Sequence, residues 1–356
     1  MMTNTNVGKI LTRLVETKAE VIKLGMDLHA RDVVVAVQLD GAIPLRAQKM
    51  TPAGLLALVR GLRAAGREVY GCYEAGPCGF GLHRQLAQAG VSNYVVVPEN
   101  LGGGRRQKTD KLDAAALVDR LDRYVRGNQR AFTVVRVPTP EEEQKRAEGR
   151  MREQLCQSRH QWEARGRSLL LCQGYHVSGR WWSPRCWEEL KPTLGGWLVQ
   201  QLEVMRVILL HLEREELAQR KQLEACAPKA LPKAVGALTW TLLNREVCDW
   251  GRFKNRRQVA SYTGLCPGIR QSGQRCQTGP INRYGNPRVR ALLIELVWRL
   301  ALWQPDYKPV RALVSGTVRG AARRKCAVAA ARRLAIDLWR LATGQTTAQQ
   351  LNLTLA

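Results

Sequence analysis

The chain has 356 residues, with 56 Lys or Arg against 30 Asp or Glu and a formal net charge of +26 at pH 7. No uninterrupted apolar run approaches the roughly 18 residues that span a bilayer, and the first residues lack the basic segment and apolar core of a secretion signal. The ten cysteines include no C-x-x-C pair, which argues against a structural zinc site. We therefore expect a cytoplasmic protein that contacts no membrane.

Residues 18–135 alternate apolar, β-branched runs with helix-favouring segments, which predicts an α/β domain. Two β-branched runs over residues 21–37 suggest a hairpin whose first strand carries an acid, and a later apolar stretch also ends on an acid. Two more acids stand three residues apart at the start of an alanine-rich helix, so they share one helical face. These four acids are Asp27, Glu74, Asp110 and Asp113.

Strand-end acids combined with a pair of helical acids predict a site for a hard cation. Oxygen ligands suit Mg²⁺ or Mn²⁺, and two such ions can hold the attacking and leaving oxygens of a phosphodiester. The alternative is that Asp110 and Asp113 complement the dipole of their helix while Asp27 lies in a turn. Spacing does not decide between these two interpretations.

Residues 136–225 form the second predicted segment, which is nearly balanced in charge. Two helical blocks, at about 141–172 and 194–225, predict either a helical pair within one chain or an intermolecular coiled coil. The connector between the blocks contains three tryptophans that either stack on nucleic-acid bases or hold the connector in place. They are Trp181, Trp182 and Trp187.

Residues 226–356 form the third predicted segment, which is mainly helical and carries 22 basic against 5 acidic side chains. An excess of this size predicts a polyanionic partner, with nucleic acid as the leading candidate. Residues 231–239 have the outline of a helix-turn-helix pair joined at a glycine. Further on, a loop rich in Gly, Arg and Gln contains Ser272, a possible nucleophile, before a helix that starts near Asn286.

Five short segments, taken in order, resemble the DEDD transposases of the IS110 family, and most closely its IS1111 branch. The match spans nearly the whole chain, although the turn at residues 232–236 lacks the first glycine of the family pattern. The segments are 25–27, 73–79, 108–114, 264–267 and 272–273.

The resemblance implies a RuvC-like, RNase H-type amino-terminal domain, a coiled-coil segment and a carboxy-terminal transposase domain. It also implies that the four acids bind Mg²⁺ and that Ser272 attacks the DNA backbone and holds it as a phosphoserine. Family members form dimers and tetramers with composite sites, and some are guided by a bridge RNA that pairs with target and donor DNA. A nucleoid-associated enzyme is therefore expected.

Seven basic residues near these motifs are expected to contact nucleic acid, and two of them, Arg270 and Arg275, are also candidates for stabilising the transition state of phosphoryl transfer. The seven residues are Arg105, Arg106, Lys108, Arg270, Arg275, Arg288 and Arg290.

Two alternative functions stay open. One is a hydrolytic junction nuclease of RuvC type, and the other is a non-catalytic scaffold that packages nucleic acid.

Overall fold

The computed structural model describes residues 4–98, 109–273 and 275–355, without the side chains of 4–7, 270 and 272. The chain forms two compact units, Met1–Val137 and Pro138–Ala356. The three-part division at residues 135 and 225 stays a prediction. Among the described residues, no helix combines the length and apolar character needed to cross a bilayer.

The first unit contains a five-stranded sheet with the order β3-β2-β1-β4-β5. β1, β2 and β3 are antiparallel neighbours, whereas β4 and β5 run parallel to β1. The predicted hairpin over residues 21–37 is confirmed, with Asp27 of β1 opposite Val34 of β2. The strands are β1 Val21–Leu28, β2 Val33–Leu39, β3 Gln48–Met50, β4 Glu68–Glu74 and β5 Ser92–Val96.

Helices cover both faces of this sheet because the central strands are apolar on both sides. Leu55 and Leu58 of α2 pack in the cluster on one face, whereas Ala114 and Val118 of α4 pack against β2 on the other. Thr51 caps α2 by accepting a hydrogen bond from the Gly54 amide, and Pro52 follows at the first helical position. The helices are α1 Asn4–Glu16, α2 Pro52–Ala64, α3 Gly81–Gln88 and α4 Asp110–Val125.

The second unit begins with two long helices, α5 Pro140–Cys172 and α7 Gly196–Ala225, joined through the short helix α6 Pro184–Leu190. They form an antiparallel pair within the chain. Near one end of the pair Glu216 forms ion pairs with Arg152 and Arg159, and near the other end Leu170 and Leu202 belong to one apolar cluster. Both predicted helical blocks are therefore confirmed. The three connector tryptophans are buried in this pair, so they hold the connector in place.

The rest of the second unit is mainly helical around one apolar core, to which Leu243, Leu293 and Leu334 contribute. The helix predicted near residue 286 is confirmed, because the Asn286 side chain caps α10 by accepting from the Arg288 and Val289 amides. The elements are α8 Ala237–Val247, α9 Arg256–Thr263, β6 Pro267–Ser272, β7 Arg275–Ile281, α10 Pro287–Trp303, α11 Arg311–Val314 and α12 Gly320–Ala342.

Two local predictions for this unit are wrong. The segment predicted as a helix-turn-helix is helical only from Ala237, because Pro232 forms a bridge with Leu355 and the Lys233 amide donates to the Thr354 carbonyl. The segment predicted as a loop around residue 272 is the antiparallel hairpin of β6 and β7. Every residue of β7 before Ile281 is exposed, so the strand lacks the apolar alternation that reveals a half-buried strand.

Candidate metal centre

Two of the predicted acids lie at the ends of neighbouring parallel strands. Met26 of β1 pairs with Tyr73 of β4, and Asp27 and Glu74 follow directly in their strands. Both acids are half-buried, in contrast to the fully buried residues that precede them. The parallel pairing therefore places the two carboxylates at the same edge of the sheet.

Close contact between α4 and β1 places the other two acids near this edge. A Cβ atom on Gly25 would lie 2.2 Å from the Ala114 carbonyl oxygen, so the helix backbone rests directly on the strand. Asp110 and Asp113 occupy the first turn of that helix, which Thr109 caps by accepting from the Leu112 amide. The absence of a side chain at Gly25 thus allows the helix start to approach Asp27.

The structure brings Asp27 and Asp110 together and adds an imidazole to them. One potential ligand atom from each of Asp27, His29 and Asp110 lies within 4.8 Å of the others. The Nε2 atom of His29 is 3.4 Å from Oδ2 of Asp27 and 3.2 Å from Oδ2 of Asp110. The side chains of Asp27, His29 and Asp110 are 28%, 41% and 57% exposed, in that order, so solvent and a substrate can reach them.

The donor chemistry of this cluster fits a divalent cation. Two carboxylates placed close together repel each other unless a positive charge lies between them, and Mg²⁺ or Mn²⁺ accepts carboxylate oxygen readily. His29 departs from the oxygen-only ligand set predicted from the sequence. Glu74 lies at the end of the adjacent strand, and Asp113 lies in the same helical turn as Asp110. Both stay predicted ligands.

His29 was not among the residues predicted from the sequence, although a signal for it was present. Side chains two residues apart on a strand point to the same face, so an acid and a histidine separated by one residue near the end of β1 are candidates for one site. Buried Cys72, by contrast, is no candidate ligand. Burial raises the pKa of its thiol, which donates to the Leu117 carbonyl at 3.4 Å.

Ser272 is the last residue of β6, where its Cα pairs with that of Arg275. The turn that follows begins at Gly273, whose φ of +57° suits glycine. Arg275 is exposed on β7. The side chains of Ser272 and Arg270 lie outside the described residues, so their catalytic roles stay predictions.

The other predicted nucleic-acid contacts divide into two groups. Arg288 and Arg290 have partners within their own unit, since Nε of Arg288 is 2.6 Å from a Glu153 carboxylate oxygen and Arg290 donates to the Thr263 carbonyl at 3.3 Å. The remaining three residues lie outside the described part of the chain. They are Arg105, Arg106 and Lys108.

Comparison with known proteins identifies similar chains. Residues 233–310 match the family model described as "Transposase IS116/IS110/IS902 family". "Putative transposase y4rJ" of Sinorhizobium fredii is 32% identical, with 81% of this chain and 82% of that protein covered. "Putative transposase y4qE" of the same organism is 31% identical over 69% of this chain and 62% of its own length. "Transposase for insertion sequence element IS1111A" of Coxiella burnetii is 27% identical, covering 78% of this chain and 79% of its own.

Proposed function

Because the chain belongs to the IS116/IS110/IS902 family of transposases, we propose that it cleaves, exchanges and rejoins DNA strands through Ser272 and a metal-binding acidic site. The observation that supports this most directly is the meeting of Asp27, His29 and Asp110 at one edge of the sheet. Clustered acids that are accessible to solvent cost repulsion energy without adding to the core. Binding of a cation and a phosphodiester accounts for their position.

Ser272 is the proposed nucleophile. Its Oγ attacks the scissile phosphorus, loses its proton, and forms a phosphoserine ester while the bond to the leaving oxygen breaks and that oxygen takes up a proton. A hydroxyl group of a second strand then attacks the phosphoserine, forms the new phosphodiester and returns the proton to the serine. The bond energy is conserved, so no ATP is needed. Arg275, which is exposed and pairs with Ser272 across the hairpin, would stabilise negative charge on the phosphoryl oxygens.

The acidic residues would hold the metal and orient the DNA. Asp27 and Asp110 would bind the ion, with Glu74 and Asp113 as further oxygen ligands and His29 beside them. A bound Mg²⁺ or Mn²⁺ supplies Lewis-acid polarisation of the scissile phosphate. The pairing of β1 with β4 and the contact of α4 with Gly25 set the backbone positions from which these side chains extend.

The finer features of this function follow from the family resemblance. A noncoding bridge RNA would pair with donor and target DNA, and dimers or tetramers would combine the acids of one protomer with the serine of another. The 22 basic side chains of residues 226–356 supply the positive charge that such nucleic acids require.

The test is the formation of a covalent adduct between the protein and DNA that carries the ends of its element. Ser272→Ala is expected to abolish the adduct. Ser261 is an exposed serine on α9, and the control variant Ser261→Ala should still form the adduct. Strand cleavage without any adduct would contradict the serine mechanism and favour the hydrolytic nuclease.

The acidic site is tested separately with the same DNA. Asp27→Asn is expected to abolish cleavage while DNA binding persists. Asp119 is an exposed acid on α4, and the control variant Asp119→Asn should leave cleavage unchanged. Full cleavage by Asp27→Asn would remove the acidic residues from the mechanism. If neither wild type nor any variant cleaves DNA, the scaffold function would be favoured.

A further inference from the structure

A basic and aromatic surface on the second unit has no role in the chemistry above, and we infer that it binds single-stranded nucleic acid. It combines one side of α10 with the connection from α11 to α12 and the start of α12. We call it the Trp298 surface. Its members are Trp298, Val314, Val318, Arg319 and Arg323.

The pair of Trp298 and Arg323, which we call the platform, lies at the centre of this surface. Trp298 is 37% exposed, although tryptophan residues are highly buried on average. The guanidinium carbon of Arg323 lies 5.1 Å from the indole centroid. Bases of single strands stack on aromatic rings and on guanidinium planes, so this pair offers a nucleobase a π face with a positive charge.

A cavity of about 340 Å³ adjoins the platform, within the size range of small-ligand sites. Arg323 belongs both to the cavity wall and to the stacked pair, so the two features are continuous. Val314 and Val318 supply apolar wall, and Arg319 supplies a second cation. This combination suits a nucleotide, whose base is apolar on its faces and whose phosphate is anionic.

The charge of the surface calls for an external anion. Residues 308–325 contain six basic side chains and no acid. Within the described chain, Arg319 and Arg323 form no ion pair with an acid, whereas arginines of the helical pair do, such as Arg159 with Glu216 at 2.9 Å. Cations grouped without acids repel one another, and binding of phosphate relieves that repulsion.

The platform favours a single strand over a duplex. Bases inside a duplex stack on each other and expose only their edges, whereas unpaired bases can leave the strand and stack on protein. The inference rests on the proposed function in taking nucleic acid as the partner. It does not require cleavage, because neither Ser272 nor the acids belong to this surface.

The experiment measures binding of the full chain to labelled oligonucleotides by fluorescence anisotropy, without added divalent metal. The probes are a mixed-sequence DNA strand, the same sequence as RNA, and the DNA duplex. Trp298→Ala is expected to weaken binding of single strands about tenfold, with little change for duplex. Trp298→Phe keeps a smaller π face and should retain most of the affinity.

A matched control lies on the same helix. Trp303 is 55% exposed with Lys233 Nζ 5.6 Å from its ring centroid, so Trp303→Ala removes an equivalent exposed indole outside the Trp298 surface. Single-strand affinity should stay unchanged in this variant. Arg319→Gln should reduce the slope of log affinity against log salt by about 0.7, the value for one phosphate contact on a single strand.

The probes also distinguish the source of the strand. Loss of affinity in Trp298→Ala for RNA alone assigns the surface to the guide, loss for DNA alone assigns it to displaced strands, and equal loss assigns it to features shared by both. Unchanged single-strand affinity, or an equal loss in Trp303→Ala or on duplex, would overturn the inference. The adduct assay on Ser272 is independent, so failure of the proposed chemistry would be recognised separately.

Discussion

The carbonyl oxygen of Ala114 lies 2.2 Å from the position that a Cβ atom on Gly25 would occupy. The same Cβ would also lie 2.5 Å from the Val118 amide nitrogen, so two successive turns of α4 rest on this point of β1. Asp27 is two residues further along the strand, and Asp110 is one turn before Ala114 on the helix. One glycine therefore permits the contact on which the candidate metal centre depends.

Substitution of this glycine should displace the helix. Gly25→Ala is expected to lower the free energy of unfolding by about 2 kcal/mol or more, because backbone atoms cannot give way as a flexible side chain can. Urea denaturation measures the loss. Gly81→Ala is the control, because a Cβ there meets no atom within 4 Å. Equal stability of the Gly25→Ala variant and wild type would show that α4 does not rest on the strand.

Metal binding should stabilise the amino-terminal unit. A ligand that binds the folded state adds roughly 2.7 kcal/mol at a hundredfold excess over its Kd, and Mn²⁺ should therefore raise the Tm of the wild type. Asp110→Asn is expected to remove most of this shift, since it replaces a charged ligand by a neutral amide. Asp119→Asn, on the same helix, should retain it. A full shift in Asp110→Asn would exclude that carboxylate as a ligand.

His29 should influence which metal is preferred. Imidazole is a softer ligand than carboxylate and suits Mn²⁺ better than Mg²⁺, which demands oxygen ligands and retains water. His29→Ala is expected to lower the affinity for Mn²⁺ about tenfold with little effect on Mg²⁺, as measured by calorimetry. His211→Ala, an exposed histidine on α7, is the control. An equal decrease for both metals would indicate that His29 positions the acids instead of binding the ion.

Glu246 of α8 joins α5, α9 and the residue that caps α10. Its buried carboxylate accepts two hydrogen bonds from Arg150 of α5, at 2.9 and 3.1 Å, and one from Asn286 at 2.8 Å. Its backbone carbonyl accepts from the Tyr262 hydroxyl of α9 at 2.7 Å. Glu246→Gln is expected to cost about 2–4 kcal/mol of unfolding free energy, because the Arg150 guanidinium loses its charged partner.

The cost of that substitution should depend on pH. Burial alone would raise the pKa of Glu246, but the hydrogen bonds from Arg150 and Asn286 outweigh burial and lower the pKa. The unfolded chain therefore takes up the proton more readily, so the carboxylate stabilises the fold above its unfolded pKa of about 4.3 and loses that effect as pH falls through the lower folded pKa.

Denaturation of wild type and Glu246→Gln in urea, from neutral pH down to about pH 3, checks this dependence. The stability difference should be largest at neutral pH and shrink below about pH 4. The Glu295 side chain on α10 is 64% exposed, so the stability of the Glu295→Gln variant should differ little from that of wild type at any pH. A constant gap between wild type and Glu246→Gln would contradict a charged role for the carboxylate.

Much of the secondary structure could be predicted because local patterns specify it. The β-branched runs identified β1 and β2, and Asn286 followed by proline marked the start of α10. The hairpin of β6 and β7 was missed because β7 is exposed as far as Ile281, and a strand without a buried face leaves no apolar alternation in the sequence. The burial of Glu246 was equally hidden, since its partners lie 40 and 96 residues away.

For the candidate site, local patterns were enough to identify the acids at strand ends and at a helix start, because the periods of strands and helices are local properties. The meeting of Asp27 with Asp110, 83 positions apart in the sequence, and the position of His29 between them depend on how the unit folds. That outcome depends on the packing of α4 against Gly25. Packing between distant segments follows from the shape of the whole unit, which no short stretch of residues contains.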